Sequence, residues 1–182
     1  TCALPIFSFP AKLTDCGAHA FDELSYPGDS IKQEYKEDIL VGYRWHDTKK
    51  IPALFPFGHG LSYTTFTYGK PVASAKTMAA DGTLTVTVAV KNTGSIAGKE
   101  IVQLYVGDDK CSVLRPVKEL KHFAKVALAP GEEKSVTFTL TPDDLKFYDE
   151  ASAAWKYESG KFKAYVCASS ADVRGVVSFE MQ

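Results

Sequence analysis

The 182-residue sequence has no excess of charge of either sign and lacks a long hydrophobic run. Lys and Arg number 21 against 22 Asp and Glu, without the clusters that bind nucleic acid or anionic membrane surfaces. No apolar stretch approaches the ~18–20 residues that cross a bilayer. The first residues, Thr1 to Pro5, include neither an initiator Met nor a basic leader. We therefore expect no nucleic-acid partner and no membrane span, and interpret the chain as a piece of a longer protein.

Cysteine is scarce and has no recognisable spacing. Zinc sites show CxxC pairs, and none is formed by Cys2, Cys16, Cys111 and Cys167. A chain with 45% hydrophobic residues can build its core without disulfide bonds, although the oxidation state of any pair is left open. Cys167 is predicted to be an outward, half-covered thiol on a strand.

Catalytic and ligand-binding motifs are also lacking. The four histidines are dispersed, and no serine occupies a G-x-S-x-G elbow. The Gly58-His59-Gly60 loop has neither the following helix nor the Lys-Ser/Thr pair of a phosphate-binding loop, so it predicts a tight backbone path. We therefore assign no catalytic, cofactor-binding or metal-binding residue and expect no cofactor.

From about residue 83 onward, apolar residues recur at every second position. This alternation is typical of half-buried antiparallel strands. The turns between them include Asp81-Gly82 and Ala129-Pro130-Gly131-Glu132, the latter with Pro and Gly where a type II turn requires them. Thr141-Pro142-Asp143-Asp144 predicts a single capped helical turn. The predicted fold is all-β, an antiparallel β-sandwich, with a core of Leu84, Val86, Val88, Val102, Leu104, Val106, Val136, Phe138, Leu140, Phe162, Ala164 and Val166, and a last strand through Val177, Phe179 and Met181.

The part before residue 83 is interrupted by six prolines and contains only short apolar pieces. It cannot build a core alone, so we expect a long, mostly irregular connector that runs over other structure. The predicted domains are 1–34 (the end of a preceding α/β domain, or a linker), 35–71 (a Pro/Gly/aromatic connector) and 72–182 (the sandwich).

Two features leave alternatives open. Paired carboxylates serve glycoside hydrolysis, but adjacent strand residues face opposite ways and every doublet lies beside a turn or cap, which favours structural roles for Glu37-Asp38, Asp108-Asp109, Glu132-Glu133, Asp143-Asp144 and Asp149-Glu150. Aromatics are dense from Tyr43 to Tyr68. They could stack on sugar rings, but the pattern favours pinning of the connector to a neighbouring surface.

Several motifs together identify a family. They are YKEDILVGYRWHDT at 35–48, LFPFGHGLSYTTF at 54–66, GKEIVQLYV at 98–106, RPVKELKHF at 115–123 and LAPGE at 128–132, preceded by LP at 4–5 and FP at 9–10. These segments closely resemble the C-terminal fibronectin type III-like domain, with its preceding connector, of family-3 glycoside hydrolases of the β-glucosidase and β-xylosidase type. The resemblance covers essentially the whole chain.

The resemblance implies a (β/α)₈ barrel with an Asp nucleophile and an α/β domain with the acid/base Glu, both upstream of residue 1. It therefore implies a non-catalytic accessory domain that contributes stability and organises the active site of a retaining β-glycosidase. Its partners would be the upstream catalytic domains and, through the parent, an oligosaccharide or β-glycoside. A homo-oligomer is left open, and a periplasmic or secreted parent is expected. The alternatives are an autonomous carbohydrate-binding or adhesion module and a catalytic fragment.

The connector carries one further expectation. Without a repeating apolar face, its order must come from docking on something already folded. We predict that Phe55, Phe57, Leu61, Tyr63 and Phe66 pack against the sandwich. Residues 1–34 are expected to have lost their natural partner and to be mobile or held by contacts foreign to the parent. Tyr43 to His46 are expected to lie at the boundary between domains.

Overall fold

The computed structural model describes residues 7–182 as two packed β-sheets preceded by a largely irregular segment. In chain order the strands are β1 (Phe9–Pro10), β2 (Ala53–Phe55), β3 (Phe66–Tyr68), β4 (Val72–Ala73), β5 (Thr77–Met78), β6 (Leu84–Asn92), β7 (Gly98–Asp108), β8 (Glu119–Leu128), β9 (Glu133–Leu140), β10 (Phe147–Asp149), β11 (Ala154–Lys156), β12 (Gly160–Cys167) and β13 (Val173–Met181). The described residues also form one α-helix, α1 (Tyr43–Lys49), and 3₁₀ turns at Leu13–Asp15, Gly17–His19 and Pro142–Leu145.

The larger sheet has five strands in the order β5-β13-β12-β7-β8, in which only β5 is parallel to its neighbour. In the four-stranded sheet, β6 pairs with β9 along one edge and with β3 and β4 along the other. Short pairs β1-β2 and β10-β11 stand apart from both sheets. This is the predicted antiparallel β-sandwich.

The core lies between the two sheets, where the period-two alternation placed it. All twelve predicted core residues are buried, and so are Phe179 and Met181. The register pairs Val86 with Phe138 and Val88 with Val136, so neighbouring strands present their apolar side chains to the same face. Met78, Leu128 and Leu145 also join the core.

Local turn chemistry follows the predictions made from residue type. Gly131 has φ +76°, and the Glu132 N–H donates to the Ala129 carbonyl at 3.0 Å, as expected of the predicted type II turn. The 3₁₀ turn at Pro142–Leu145 starts from a capping box in which Asp144 Oδ2 accepts from the Thr141 N–H at 2.8 Å. The two turn sequences therefore end β8 and β9 where the residue types predict.

The segment before the sandwich is mostly irregular, as predicted, but it contains a helix that was not predicted. Helix α1 is followed by Lys50, which caps its C-terminal end with a left-handed φ of +56°. The strand β3 precedes residue 72 and is nevertheless hydrogen-bonded to β6. The domain boundaries at 34/35 and 71/72 stay predictions, and Cys2 and the Leu4-Pro5 motif lie outside the described residues.

Candidate functional site

The outer face of the five-stranded sheet is covered where β7 and β12 lie side by side. Gln103 and Tyr105 alternate along β7 with core residues, and Cys167 of β12 pairs with Gln103, so all three point away from the sandwich core. All three are buried nonetheless. The prediction of a half-covered Cys167 is therefore wrong, because period two tells which face a residue takes but not what covers that face. Burial raises the pKa of this thiol to about 12.

Helix α1 supplies one part of the cover. The ring of Tyr43 packs edge-on against Tyr105 with centroids 5.5 Å apart, and the ring of Phe57 lies 5.3 Å from Tyr43. The Leu120 N–H of β8 donates to Tyr43 Oη at 2.9 Å. Burial raises the pKa of both tyrosines, so these rings serve here as neutral packing groups.

The Gly58-His59-Gly60 loop supplies another part. Gly58 has φ +77°, and a Cβ atom there would overlap the side-chain amide of Gln103. That amide is held in place: Nε2 donates to the Ala168 carbonyl at 3.0 Å, and Oε1 accepts from Tyr105 Oη at 2.5 Å. The predicted tight backbone path is therefore found at Gly58, pressed against β7.

A buried ion pair joins α1 to the segment between β7 and β8. Lys118 Nζ lies 2.6 Å from Asp47 Oδ2 and 5.6 Å from the centroid of the Tyr105 ring. Next to it, the Val117 N–H donates to Thr48 Oγ1 at 3.0 Å. Burial raises the pKa of Asp47, and the nearby ammonium only partly offsets that effect.

A second charged cluster centres on Glu119 at the start of β8. Its carboxylate lies 3.4 Å from Arg44 of α1, 3.3 Å from Arg115 and 3.3 Å from Lys121. Burial acts to raise the pKa of Glu119, but the three cations outweigh it and hold the pKa below its ordinary value. Arg115 also lies 3.5 Å from the buried carboxylate of Asp108, so this network ties α1 to both ends of the 109–118 loop.

The opposite side of α1 holds the N-terminal segment. Trp45 is buried, and its Nε1 donates to the Asp15 carbonyl at 3.0 Å. The Phe21 ring lies 5.7 Å from Trp45, and Gly17 lies so close that a Cβ there would come within 3.2 Å of the indole. The residues Tyr43 to His46 therefore lie between the N-terminal segment and the sandwich.

The predicted packing of the aromatic run is correct in part. Phe57 and Phe66 pack as predicted, Phe57 through Tyr43 and Phe66 against the core. Phe55 pairs instead with Phe9, and Tyr63 is 93% exposed. Leu61 is also exposed. Most aromatics between Tyr43 and Tyr68 thus pin the connector, as the pattern favoured.

The acidic doublets serve the backbone, which agrees with the structural interpretation. In each doublet one carboxylate accepts from a main-chain N–H of a turn or cap: Asp38 from Ile39, Asp108 from Lys110, Glu132 from Ala129, Asp144 from Thr141 and Asp149 from Ser152. Within residues 7–182 no three His, Cys, Asp or Glu side chains are grouped to hold a metal ion. Cys16, Cys111 and Cys167 are free thiols, and no helix in this part of the chain is long and apolar enough to cross a membrane.

The covered face of β7 was not predicted from the sequence, although one signal was present. The run Val102-Gln103-Leu104-Tyr105-Val106 places large side chains on both faces of one strand, which is typical of a strand that is covered on both sides.

The antiparallel sandwich and the covered outer face of β7 and β12 are together those of a fibronectin type III-like domain. Its connector packs on the outside of the larger sheet. The family model for the fibronectin type III-like domain matches residues 100–170. The chain is 67% identical over 96% of its length to β-glucosidase BoGH3A of Bacteroides ovatus, and 50% identical over 91% to thermostable β-glucosidase B of Acetivibrio thermocellus. It spans only 23% and 22% of these two proteins.

Solved structures of β-glucosidases contain the same fold. DesR, a β-glucosidase from Streptomyces venezuelae in complex with D-glucose, superimposes with a TM-score of 0.86 at 40% identity, covering 97% of this chain and 22% of DesR. The GH3 β-glucosidase of Bifidobacterium adolescentis gives 0.87 at 35% identity, covering 96% and 25%. The chain corresponds to the C-terminal fibronectin type III-like part, with the preceding connector, of family-3 glycoside hydrolases.

Proposed function

We propose that this chain is the non-catalytic accessory domain of a β-glycosidase that hydrolyses terminal β-D-glucosyl or β-D-xylosyl residues with retention. Its role is to stabilise the catalytic part and to fix its orientation. The observation that carries the proposal is the position of α1, which packs on the sandwich through Tyr43 and on the N-terminal segment through Trp45. The sandwich thus holds the polypeptide that leads into it.

The contacts of α1 suit such a role. Tyr43 and the Asp47–Lys118 pair fix the helix to two neighbouring strands and to the 109–118 loop, so a displacement of the helix would break several buried contacts at once. Catalytic groups lose efficiency when they are misplaced by about 1 Å. A rigid support on one side of the catalytic part would therefore affect turnover without touching the bond that is broken.

Truncation of the complete polypeptide tests the proposal. We expect a version that ends at residue 71 to unfold at a lower temperature than the complete polypeptide and to hydrolyse an aryl β-glucoside with a lower kcat/KM. An unchanged melting temperature together with an unchanged kcat/KM would reject the accessory role.

The isolated 182-residue chain is expected to be inactive on the same aryl β-glucoside. An enzyme that lacks its covalent nucleophile loses most of its rate enhancement, and the resemblance implies that this residue lies upstream. Turnover that survives repurification and disappears when an Asp or Glu of this chain is replaced would show a catalytic fragment instead.

Exposed aromatics on the connector favour one second candidate, an autonomous carbohydrate-binding module. Tyr63 and Phe55 are the exposed members of the aromatic run, and exposed rings can stack on sugars. Isothermal titration of the isolated chain with cello- and xylo-oligosaccharides distinguishes the two functions. A dissociation constant in the millimolar range or below, lost in Tyr63→Ala, would support the binding module.

A further inference from the structure

A cleft of ≈ 940 Å³ opens where the connector, the 109–118 loop and the β10-β11 hairpin meet. Its lining combines exposed apolar side chains from all three segments, namely Ile39, Val113, Leu114, Tyr148 and Trp155. Trp155 is 65% exposed and Tyr148 50%. Monomeric proteins seldom leave such clusters uncovered unless the cluster is an interaction site.

The hairpin that forms one wall has little support from the sandwich. Strands β10 and β11 pair over three residues with each other and with no other strand of residues 7–182. The rings of Tyr148 and Trp155 lie on directly opposed residues of the hairpin and pack edge to face, with centroids 5.7 Å apart. An isolated two-stranded hairpin is marginally stable in water, so this wall gains order if something packs on its rings.

Three of the four carboxylates that line the cleft, those of Asp38, Glu119 and Asp149, are already paired within the chain. Glu119 is held by three cations, and Asp149 accepts from the Ser152 N–H and pairs with Lys156 at 2.5 Å. Few strong acceptors therefore remain for sugar hydroxyls. An apolar centre with Trp and Tyr, rimmed by Arg and paired charges, is typical of a protein–protein interface.

The occupant follows from what the relatives contain besides this part. More than three quarters of the length of each of two relatives lies outside the match, and the match is to their C-terminal part. Ile39 and Arg44 line the cleft, so the connector that joins the preceding polypeptide to the sandwich forms one of its walls. A tethered partner meets such a surface at a high effective concentration.

We propose that this cleft is the surface on which the preceding catalytic part of the same polypeptide docks. The inference rests on the proposed accessory function, to which it assigns a contact surface. The docked part covers Trp155 and Leu114 in the complete polypeptide, whereas both stay exposed in the isolated chain.

The test compares the same substitutions in both proteins. Trp155→Ala and Leu114→Ser, alone and combined, are introduced into the complete polypeptide and into the 182-residue chain. Phe123→Ala on β8 is the matched control, because Phe123 is 69% exposed and does not line the cleft. We expect the combined variant to lower the melting temperature of the complete polypeptide by about 3 °C or more, with little change in the isolated chain. The control should change neither protein.

Other outcomes overturn the inference. Equal shifts in both proteins would show a role inside the domain, and no shift in the complete polypeptide would show that the catalytic part contacts another face. If truncation at residue 71 destabilises the complete polypeptide while the cleft variants do not, the accessory function stands and this surface is wrong. Oligosaccharide binding by the isolated chain that Trp155→Ala removes would assign the cleft to a glycan. A dimer of the isolated chain that the same variant dissociates would assign it to a second copy.

Discussion

At the scale of single residues, two side chains of the same type can differ widely in burial. Phe138 and Phe123 lie on the neighbouring segments β9 and β8, but Phe138 is 6% exposed in the core whereas Phe123 is 69% exposed. The alternation rule distinguishes them because Phe138 shares the face of Val136 and Leu140. Because only Phe138 is buried, its ring should contribute far more to the free energy of unfolding than the ring of Phe123.

We expect Phe138→Ala to lower the free energy of unfolding of the isolated chain by roughly 3–5 kcal/mol, the usual cost of emptying a buried aromatic site. Phe123→Ala, the matched control, should change it by less than about 0.5 kcal/mol. Urea denaturation of the three proteins measures both values. A loss below about 1 kcal/mol for Phe138→Ala would place that ring outside the effective core.

The buried pair Asp47–Lys118 predicts a pH dependence. Burial raises the pKa of Asp47 in the folded chain, so the folded state binds a proton more readily than the unfolded one, and stability falls as pH rises through the interval between the two pKa values. The ammonium of Lys118 lowers the pKa of Asp47 and so partly offsets the effect of burial. Lys118→Met removes that ammonium and therefore raises the pKa of Asp47 further. The variant should therefore resemble the wild type near pH ~4, close to the pKa of a free Asp, and be less stable by about 3 kcal/mol at neutral pH.

Denaturation of both proteins between these pH values measures the difference. The double variant Asp47→Asn with Lys118→Met is the control, since it has no titrating carboxyl at this position and its difference from Lys118→Met should grow with pH. A loss in Lys118→Met that stays constant over the whole range would contradict the assignment of the effect to Asp47.

At the scale of elements, the covered face of β7 and β12 depends on the close approach of the loop at Gly58. Gly58 and Gly131 have nearly the same φ, +77° and +76°, but only at Gly58 would a Cβ meet another side chain. Replacement of either glycine by alanine costs about 1 kcal/mol or more in backbone strain. Comparison of the two sites therefore isolates the contact with Gln103.

We predict that Gly58→Ala destabilises the chain by ~1–3 kcal/mol more than Gly131→Ala, because the amide of Gln103 must give up buried hydrogen bonds. The Gly58→Ala substitution should also move the loop away from β7 and expose the thiol of Cys167 to solvent. In a background with Cys2, Cys16 and Cys111 replaced by Ser, a thiol reagent should label Gly58→Ala faster than Gly131→Ala. Equal labelling rates would show that the loop is not what protects this thiol.

The elements also show what could be predicted from the sequence. Val86, Leu104 and Phe162 follow period two, so the strands and the core face could be assigned without coordinates. Helix α1 could not, because it has only seven residues, and a helix this short depends on tertiary contacts such as Tyr43 on Tyr105 rather than on local propensity. The burial of Cys167 and the cleft beside Trp155 depend on how distant segments meet, which residue periodicity does not encode.

At the scale of the whole molecule, the connector and the sandwich form one structure although only the sandwich has a core. The residues from 7 to 42 have short 3₁₀ turns and one short strand, and their ordered contacts with Trp45 depend on α1, which in turn depends on β7 and β8. Because each of these contacts depends on the next, we expect residues 7 to 49 to lose their order when the sandwich unfolds.

Two spectroscopic signals can follow the unfolding of α1 and of the sandwich separately. The chain has two tryptophans, so in Trp155→Phe the fluorescence reports on Trp45 in the connector alone, while far-UV circular dichroism reports mainly on the strands of the sandwich. We expect the two signals to change at the same urea concentration, because a cooperative unit unfolds in one transition whatever the probe. Gly58→Ala in the same background is the comparison, in which weaker docking should move the Trp45 transition to lower urea than the strand transition. If the two transitions are already separate in Trp155→Phe, the connector is an independent unit, and the sandwich could not transmit its rigidity to the polypeptide that precedes it.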